Sequence, residues 1–516
     1  MPTMPHDDSC DATGADVSGS PYSEVSIVVS DTHLGEGRRV RVEYDGRRGI
    51  GRAWRALARV VLRQGDKFQE IDNPLDDFQL DSEFADFLDM MGERYAGADS
   101  VRLRLLGDIF DPLIVAWQGR YVDPPYESVG AYKMIRIIEG HTPFFDALGR
   151  FIRRANCRID VFTGNHDLFL AWPSVRALLL DRICGGNPEL LGKVDFVDHK
   201  HGFRTLDKGV LYEHGNNAEA HNRVDPENAV VRDVLGVTLR QPILNAPYGS
   251  YMCVDLAIPL KLRNGLVGRL REDRRVWTHA FRHRWLWGAY ALVRLIWHFI
   301  YAHFFAFWDF RRKANSRKIL DIVLATTTKN PVDRYAMQLL RERDDARVVV
   351  LGHSHHWRRL SSAHGTYLNT GNWTVAYRMY QREFERTWKS LEWLEPYWRS
   401  LRHFFRTGEM RFASRMIRFT GVLAFIAALS TFAIFGLWPL DTLQVKALAV
   451  ILLIFVVVAG VFKMFSVEPK IVDDTRLTFG LIRHRKDGSL QADLMEYLPE
   501  EKDFREPDKK DFHESA

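Results

Sequence analysis

The chain has 516 residues, enough for a large core and more than one domain. Its formal net charge of +5 is modest for this length and gives no indication of a nucleic-acid partner. The four cysteines (Cys10, Cys157, Cys184 and Cys253) have no CxxC or disulfide-framework spacing, which favours a reduced, cytosolic setting over a secreted one.

Residues 1–22 are polar, acidic and rich in glycine and serine, which predicts a disordered tail and no signal peptide. Farther along, five polar clusters each come just after an apolar, β-branched run. These clusters are SDTHLG at 30–35, GDIFD at 107–111, GNHD at 164–167, EHG at 213–215 and GHSH at 352–355. The runs before them (VSIVV, VRLRLL, RIDVF, GVLY and RVVVL) predict buried strands. We therefore expect the polar residues at strand ends, where α/β sheets bind their ligands.

The clusters supply aspartate, asparagine and histidine, which bind divalent metals through oxygen and imidazole nitrogen. Asp31 and His33 are two residues apart, so an extended chain would point both side chains to one face, and His353 and His355 repeat that spacing. Two cations about 4 Å apart can hold a bridging hydroxide at neutral pH and clamp phosphoryl oxygens. Such a site needs no serine or cysteine nucleophile, and a carboxylate is its natural bridging ligand.

In this order the five clusters resemble the pattern of the calcineurin-like metallophosphoesterases: DxH, GDxxD, GNH[DE], a histidine followed by glycine, and GHxH. The resemblance covers roughly residues 24–375, with gaps. It implies an α/β fold, namely a four-layer αββα double β-sandwich with a two-metal site. By motif the chain is most similar to the UDP-2,3-diacylglucosamine pyrophosphohydrolase-like phosphoesterases of bacteria. It departs from the strict members of that group by having His166 where they have arginine.

The resemblance implies seven metal ligands, carried over motif by motif. One ion would take Asp31, His33, Asp108 and His355. The other would take Asp108, Asn165, His214 and His353, so that Asp108 bridges the two. The pair is expected to be manganese, with iron or zinc as alternatives.

Two neighbouring residues are candidate catalytic groups. The resemblance implies that His166 faces the phosphate, where it could protonate the leaving oxygen or stabilise transition-state charge. Asp167 is expected either to orient that imidazole or to cap the loop.

Five further residues are candidate substrate contacts. Trp117 and Arg120 come soon after GDIFD, close to the metals in a fold of this kind, with ordinary packing as the alternative. Asn216, His221 and Asn222 lie in a stretch rich in asparagine and Asp-Pro that also follows the fourth motif in lipid-type relatives. Their alternative role is turn formation.

Several helices are predicted between the clusters. Residues 51–64 and 82–95 have helical apolar spacing, and a third helix is expected over about 128–156. Residues 236–345 are expected to form a helical, membrane-facing insertion. Its apolar segment 285–308 is long enough to span a bilayer, but one crossing would separate two ligands of the same ion. We therefore expect a helix in the membrane interface or over the site, with a buried core helix as the alternative.

The predicted catalytic region spans residues 23–380 and is followed by a membrane-directed segment. Residues 381–418 are basic and aromatic, which is typical of an interfacial segment, and residues 419–465 contain two apolar stretches that predict a transmembrane hairpin. Basic residues flank that hairpin, so a multi-pass protein of the inner (plasma) membrane is expected, with its catalytic domain and C-terminus in the cytoplasm.

Residues 466–498 contain two strand-like runs around Asp487 and Gly488, which predict a β-hairpin that returns to the catalytic domain. Residues 499–516 are charged and are predicted to be a disordered tail.

These patterns favour a membrane-anchored, metal-dependent phosphoesterase. It would hydrolyse a phosphate or pyrophosphate ester of an amphiphilic substrate by attack of a metal-bridging hydroxide. Its expected partners are a phosphorylated small-molecule or lipid-linked substrate and the membrane. Two alternatives remain, a phosphodiesterase or phosphatase of a soluble nucleotide and a non-catalytic membrane scaffold. The filled ligand positions count against the scaffold.

Overall fold

A computed structural model of the chain describes residues 20–43, 68–234, 237–262, 265–269, 290, 293–294, 330–380 and 470–507. The predicted helix at 51–64, the interfacial segment 381–418 and the transmembrane hairpin at 419–465 lie outside these residues, as does nearly all of 285–308. Two compact units make up the chain. One consists of residues 1–265, 297–375 and 475–516, and the other of residues 266–296 and 376–474.

The described strands and helices have the following bounds. The strands are β1 (Tyr22–Val29), β2 (Arg39–Glu43), β3 (Phe68–Asp72), β4 (Val101–Leu106), β5 (Ala116–Trp117), β6 (Arg120–Tyr121), β7 (Cys157–Phe162), β8 (Val194–Val197), β9 (Arg204–Asp207), β10 (Val210–Glu213), β11 (Val230–Val234), β12 (Val237–Leu244), β13 (Val348–Leu351), β14 (Arg358–Ser362), β15 (Gly365–Asn369), β16 (Tyr377–Tyr380), β17 (Lys470–Asp473), β18 (Leu477–Arg485), β19 (Leu490–Leu498) and β20 (Asp503–Arg505). The helices are α1 (Asp81–Arg94), α2 (Glu127–Gly140), α3 (Thr142–Arg153), α4 (Pro173–Cys184), α5 (Pro188–Leu191), α6 (Tyr248–Met252), α7 (Ile258–Lys261) and α8 (Pro331–Glu342).

Two large sheets organise the first unit. The seven-stranded sheet has the order β20-β19-β18-β1-β4-β7-β8, in which β1, β4, β7 and β8 run parallel. The five-stranded sheet has the order β14-β15-β13-β10-β9, with β15, β13 and β10 parallel. The five predicted strands all form, as β1, β4, β7, β10 and β13, and the mixed α/β class is confirmed.

The two sheets pack face to face, with helices on their outer faces. Val28 and Leu106 of the larger sheet meet Tyr212 and Val350 of the smaller one in a shared core. On the opposite face of the larger sheet, alternate residues pack with α1, α3 and α4, and α8 covers the outer face of the smaller sheet. Strands buried on both faces lack polar alternation, which explains their continuous apolar runs.

The single helix predicted over 128–156 is instead two helices, α2 and α3, which meet at His141. Pro143 lies in the first turn of α3, where its missing N–H is harmless, whereas inside a longer helix it would remove a hydrogen bond and clash with the preceding turn. His141 has non-helical angles, and its buried ring lies 3.1 Å from an Asp81 oxygen and 3.5 Å from an Asp76 oxygen. The helix predicted over 82–95 forms as α1.

The C-terminal strands lie in the sheet that contains the first strand. The hairpin predicted around Asp487 and Gly488 is present as β18 and β19, and β18 pairs antiparallel with β1. The prediction of disorder from residue 499 onward is wrong for residues 499–507, because β20 pairs with the edge of β19 and extends the sheet. None of the helices in the described ranges has the length and apolar character needed to cross a bilayer.

Candidate metal centre

The five polar clusters meet where strands of the two sheets end. Asp31 and His33 follow β1, Asp108 follows β4, and Asn165 follows β7 in the larger sheet. In the smaller sheet His214 follows β10, and His353 and His355 follow β13. A backbone hydrogen bond joins loops from the two sheets here: the Trp373 N–H, after β15, donates to the Asp31 carbonyl, after β1, at 3.4 Å.

In the described part of the chain, three groups of side chains are close enough to hold a metal ion, and one of them, His33, Asp111 and His166, shares His33 with another. In each group the candidate ligand atoms lie within 4.8 Å of one another. Of the other two groups, Asp31, His33 and His355 form the first, and Asp108, His214 and His353 form the second. The first and second groups match the two predicted ligand sets with two differences. Asn165 is not in the second group, and Asp108, which was predicted in both sets, is in the second group alone.

The first group surrounds one carboxylate oxygen of Asp31. Its Oδ1 lies 3.4 Å from His355 Nε2 and 4.0 Å from His33 Nε2, and those two ring nitrogens are 3.1 Å apart. Its Oδ2 accepts hydrogen bonds from the Ser30 hydroxyl and, at 2.9 Å, from the His353 N–H. Oδ1 is buried and makes no well-formed hydrogen bond among the described residues. The contacts of Oδ2 therefore orient the carboxylate, and the lone pairs of Oδ1 are available to a metal ion.

In the second group, backbone contacts decide which imidazole nitrogen is available. His214 donates its Nδ1 proton to the Leu106 carbonyl at 2.9 Å, which leaves Nε2 facing Asp108 Oδ2 at 3.1 Å. Asp108 Oδ1 accepts the His166 N–H at 2.8 Å. Within the described part of the chain, His214 Nε2, His353 Nδ1 and Asn165 Oδ1 are buried without a hydrogen-bond partner.

The backbone at the site adopts an uncommon conformation. Five candidate ligands have φ between 49° and 70°, in the left-handed region that L-residues rarely occupy: Asp31, His33, Asp108, His353 and His355. Such conformations cost on the order of 1–3 kcal/mol each and concentrate at functional sites. Two motif glycines allow the loops to approach the carboxylates closely. A Cβ on Gly164 would lie 2.3 Å from Asp108 Oδ1, and one on Gly352 would lie 2.5 Å from Asp31 Oδ2.

The electrostatics of the site favour bound positive charge. Burial would raise the pKa of Asp31, but His214 and His355 lower it to about 2. Burial opposes protonation of His214, yet Asp108 raises the pKa of that imidazole to about 9. At neutral pH the carboxylates are therefore ionised and neutralised by protons on histidine, which an incoming cation would displace.

A second carboxylate, Asp111, orients the candidate acid His166. Asp111 Oδ2 lies 3.0 Å from His166 Nδ1 and 3.3 Å from His33 Nδ1. Burial opposes protonation of His166, but Asp111 and Asp108 raise its pKa well above the ordinary value. We had assigned no role to Asp111, although it is the second aspartate of GDIFD.

Asp167, which was the other candidate for orienting His166, makes different contacts. Its carboxylate accepts the backbone N–H groups of Gly164 and Ile109 and so joins the GNHD and GDIFD loops. The prediction that it could orient the imidazole is therefore wrong, and its alternative role in the loop holds. Burial, with the Asp108 charge, raises the pKa of Asp167 to about 7.

The five candidate substrate contacts separate into two groups. Asn222 lies 3.3 Å from His353 Nε2, and His221 lies 3.3 Å from Glu219, a carboxylate that also contacts His353 at 3.1 Å. Glu219 could not be identified from the sequence, because a lone glutamate in a loop carries no recognisable spacing.

The other three candidates make no such contacts. Asn216 is buried and donates to the Asn222 carbonyl at 2.9 Å, which is a turn contact. Trp117 is half-buried and Arg120 is exposed in the β5–β6 hairpin. None of the three is among the residues that line the pocket next to Asn165 and His166.

That pocket is small, with a cavity volume of about 10 Å³, which is room for about one water molecule. Its walls are mostly apolar, formed by Leu113, Pro124, Leu168, Phe169, Leu244 and Ala246. Asp123 and Ser250 add two polar groups. The side chains around Asn165 and His166 therefore form a mostly apolar wall with little enclosed space.

Comparison of the chain with models of protein families finds no match, and comparison with curated proteins finds none either. The function therefore has to be inferred from the arrangement of the residues themselves.

Proposed function

We propose that the chain is a metal-dependent phosphoesterase that holds two divalent ions between the two sheets. The observation that carries this proposal is a set of buried polar atoms that make no well-formed hydrogen bond in the described residues: Asp31 Oδ1, Asn165 Oδ1, His214 Nε2 and His353 Nδ1. The nearest polar neighbours of Asp31 Oδ1 and His214 Nε2 are other candidate ligands, His355 at 3.4 Å and Asp108 at 3.1 Å. An unsatisfied buried polar atom costs about 1–3 kcal/mol, so several in one place indicate an absent partner. Two divalent cations would satisfy all four atoms.

The donor atoms fit the expected pair of ions. Asp31 Oδ1, His33 Nε2 and His355 Nε2 would hold the first ion, and Asn165 Oδ1, His214 Nε2 and His353 Nδ1 the second. Asp108, which lies within the second group, is the carboxylate that would bridge them. Oxygen and imidazole donors without thiolate suit manganese, with iron or zinc as alternatives. The face-to-face sheets with outer helices support the αββα double β-sandwich of the calcineurin-like phosphoesterases as the finer description of the fold.

The residues of the chain divide the chemistry between them. The ions, when bound, supply an activated water nucleophile and stabilise the charge of the phosphoryl group. His166 has its Nδ1 against Asp111, so Nε2 is the nitrogen from which it would donate a proton to the leaving oxygen. The Asp111 carboxylate keeps His166 protonated and orients its ring.

The apolar wall beside His166 supports an amphiphilic substrate. Apolar side chains adjoin His166, the candidate acid, so we infer a leaving group whose apolar atoms lie against this wall. The predicted membrane hairpin would hold the enzyme at the cytoplasmic face of the inner membrane, where a lipid-linked phosphate or pyrophosphate ester would be found. A soluble nucleotide ester remains the second candidate, because aromatic or ribose groups also have apolar surface.

The test compares Asp108→Ala with Asp195→Ala, whose exposed side chain lies on β8. Metal content and hydrolysis of p-nitrophenyl phosphate are measured in the presence of Mn²⁺. We expect Asp108→Ala to lose at least one ion and about a thousandfold or more in rate, because the carboxylate would serve both ions, and Asp195→Ala to match the wild type. Two retained ions and normal hydrolysis in Asp108→Ala would contradict the proposal.

A panel of nucleotide, sugar-nucleotide and phospholipid esters then separates the candidates. Preference for lipid-linked esters supports the amphiphilic substrate, and preference for nucleotides supports the alternative. A wild-type protein that binds Mn²⁺ and hydrolyses none of the esters would favour the scaffold.

A further inference from the structure

Three side-chain nitrogens contact the same carboxylate oxygen of Glu219. Its Oε2 lies 3.1 Å from His353 Nε2, 3.3 Å from His221 Nε2 and 2.8 Å from Asn222 Nδ2. The contact with His353 is the informative one, because the other nitrogen of that ring, Nδ1, is buried without a partner in the described chain. Nε2 of the imidazole thus contacts Glu219, and Nδ1 is available to bind a metal ion.

We propose that Glu219 is a positioning residue that fixes the His353 tautomer and thereby sets the affinity of the second metal ion. The proposal rests on the proposed function, since it concerns a ligand of that ion. A histidine binds a metal through the lone pair of one nitrogen, so the proton has to reside on the other nitrogen. The Asn222 amide nitrogen also lies 3.3 Å from Nε2, but it donates to Glu219 Oε2 at the shorter distance of 2.8 Å. The Glu219 carboxylate is therefore the acceptor of the His353 Nε2 proton, at 3.1 Å, and leaves Nδ1 as the donor atom.

His214 provides an internal comparison. Like His353 it has a hydrogen-bond acceptor at one ring nitrogen, but the bonded nitrogen is Nδ1 and not Nε2. Its Nδ1 proton goes to the Leu106 carbonyl, and its Nε2 is left for the ion. Both histidines of the second group therefore have an acceptor behind the ring. The acceptor for His353 is charged and comes from a loop, whereas that for His214 is part of strand β4.

The loop that carries Glu219 is braced by its own hydrogen bonds. The Glu219 N–H donates to the Asn216 carbonyl at 3.1 Å, and the Asn222 N–H donates to the Glu219 carbonyl at 3.0 Å. The Asn216 amide closes the loop on the Asn222 carbonyl at 2.9 Å. We infer that the hydrogen bonds of the asparagine-rich stretch after His214 together hold the Glu219 carboxylate next to His353.

Acceptors behind metal-binding histidines typically contribute about 10- to 100-fold to metal affinity. Loss of Glu219 should therefore weaken the second ion by about this factor and leave the first ion unchanged, since none of its candidate ligands contacts Glu219. Gln should retain part of the affinity, because its amide oxygen still accepts the proton but carries no charge.

The experiment uses backgrounds that isolate each ion in the full-length protein. His355→Ala removes a ligand of the first ion only, and His214→Ala removes a ligand of the second ion only. Glu219→Ala and Glu219→Gln are added to each background, with Glu227→Gln, an exposed glutamate on the same connection, as the matched control. Mn²⁺ is titrated calorimetrically, and the melting temperature is measured without metal.

In the His355→Ala background we expect Kd to rise about 10- to 100-fold for Glu219→Ala, less for Glu219→Gln, and not at all for Glu227→Gln. In the His214→Ala background Kd should stay within twofold for all three. An unchanged Kd in the first background would overturn the role of Glu219. So would equal weakening in both backgrounds with a lowered metal-free melting temperature, which would show that the residue only supports the loop. If the wild type bound no Mn²⁺ at all, the proposed function would fail, and this inference with it.

Discussion

The carboxylate of Asp111 lies between two imidazoles that the proposed chemistry uses differently. One belongs to His33, a candidate ligand of the first ion, and the other to His166, the candidate acid. Despite burial, the neighbouring imidazoles bring the pKa of Asp111 far below its usual range, so it is ionised at any working pH. It therefore links the position of the acid to that of the metal.

We expect Asp111→Asn to lower kcat about 10- to 100-fold and to change its pH dependence. His166 is raised well above its ordinary pKa by Asp111 and Asp108 against the effect of burial, and a general acid is active only while protonated. Activity should therefore fall as pH rises through that pKa. Without the Asp111 charge the pKa falls, so the alkaline limb of the kcat profile should move to lower pH.

The control is the same substitution in a His166→Gln background. There Asp111→Asn should produce no further shift of the alkaline limb, because the titrating group is gone. An equal shift in both backgrounds would assign that limb to another group.

The glycine before Asn165 can be tested by adding one methyl group. In Gly164→Ala the new Cβ would lie 2.3 Å from Asp108 Oδ1 and 2.6 Å from the Asp108 nitrogen, so the carboxylate or its loop has to move. We expect lost metal binding and a decrease in the free energy of unfolding of about 1–3 kcal/mol. Gly192→Ala is the matched control, since nothing lies within 4 Å of its Cβ and its φ is −71°. Normal metal content in Gly164→Ala would show that Asp108 has another way to reach the ions.

The junction of α2 and α3 depends on a buried charge. Burial opposes protonation of His141, but Asp76 and Asp81 outweigh it and raise the pKa of the ring to about 9 from 6.5. A group whose pKa is raised on folding stabilises the fold fully below its unfolded pKa, and this contribution disappears as pH rises through the folded pKa. At 1.36 kcal/mol for each pKa unit, the shift corresponds to about 3 kcal/mol.

We therefore expect His141→Gln to be destabilised most below about pH 6.5, with the difference from wild type shrinking as pH approaches 9. Urea unfolding at a series of pH values measures this difference. His364→Gln, at an exposed histidine, should match the wild type throughout. A difference that did not change between pH 6.5 and 9 would mean that His141 acts by packing and not by charge.

Sequence patterns identify some of these elements better than others. The strands were predictable because burial on both faces leaves apolar runs such as VVVL at 348–351, and the candidate ligands stood out as polar residues that follow such runs at once. The break at His141 was missed, since helical apolar spacing continues across it and only Pro143 signals the end. The roles of Asp111 and Glu219 depend on contacts between separate loops, as Glu219 and His353 show, and spacing along the chain carries no trace of such contacts.

The first unit is assembled from segments far apart in the chain. Strand β18 pairs with β1, and the Trp373 indole donates to the Thr478 carbonyl at 2.8 Å, which ties the TGNW segment to β18. In the second unit β16 pairs with β17, so Tyr380 and Lys470, which flank residues 381–469, lie side by side. A membrane segment between these strands would have to leave and return on the same side, which requires an even number of crossings.

This arrangement leads to a topology prediction for the proposed hairpin. Reporter fusions after Lys470 and near Lys313 should report the cytoplasm, and a fusion between Pro439 and Thr442 should report the opposite side. A signal from the opposite side near Lys313 would require another crossing before His353 and would exclude a single hairpin.

The most direct measurement of the two-ion site is anomalous X-ray scattering from crystals of the full-length protein grown with Mn²⁺. We predict two peaks about 4 Å apart, as in two-metal hydrolases, with Asp108 between them. The first peak should be bound by Asp31, His33 and His355, and the second by Asn165, His214 and His353. A single peak, two peaks that do not share Asp108, or Mn²⁺ bound elsewhere with these residues empty would contradict the account.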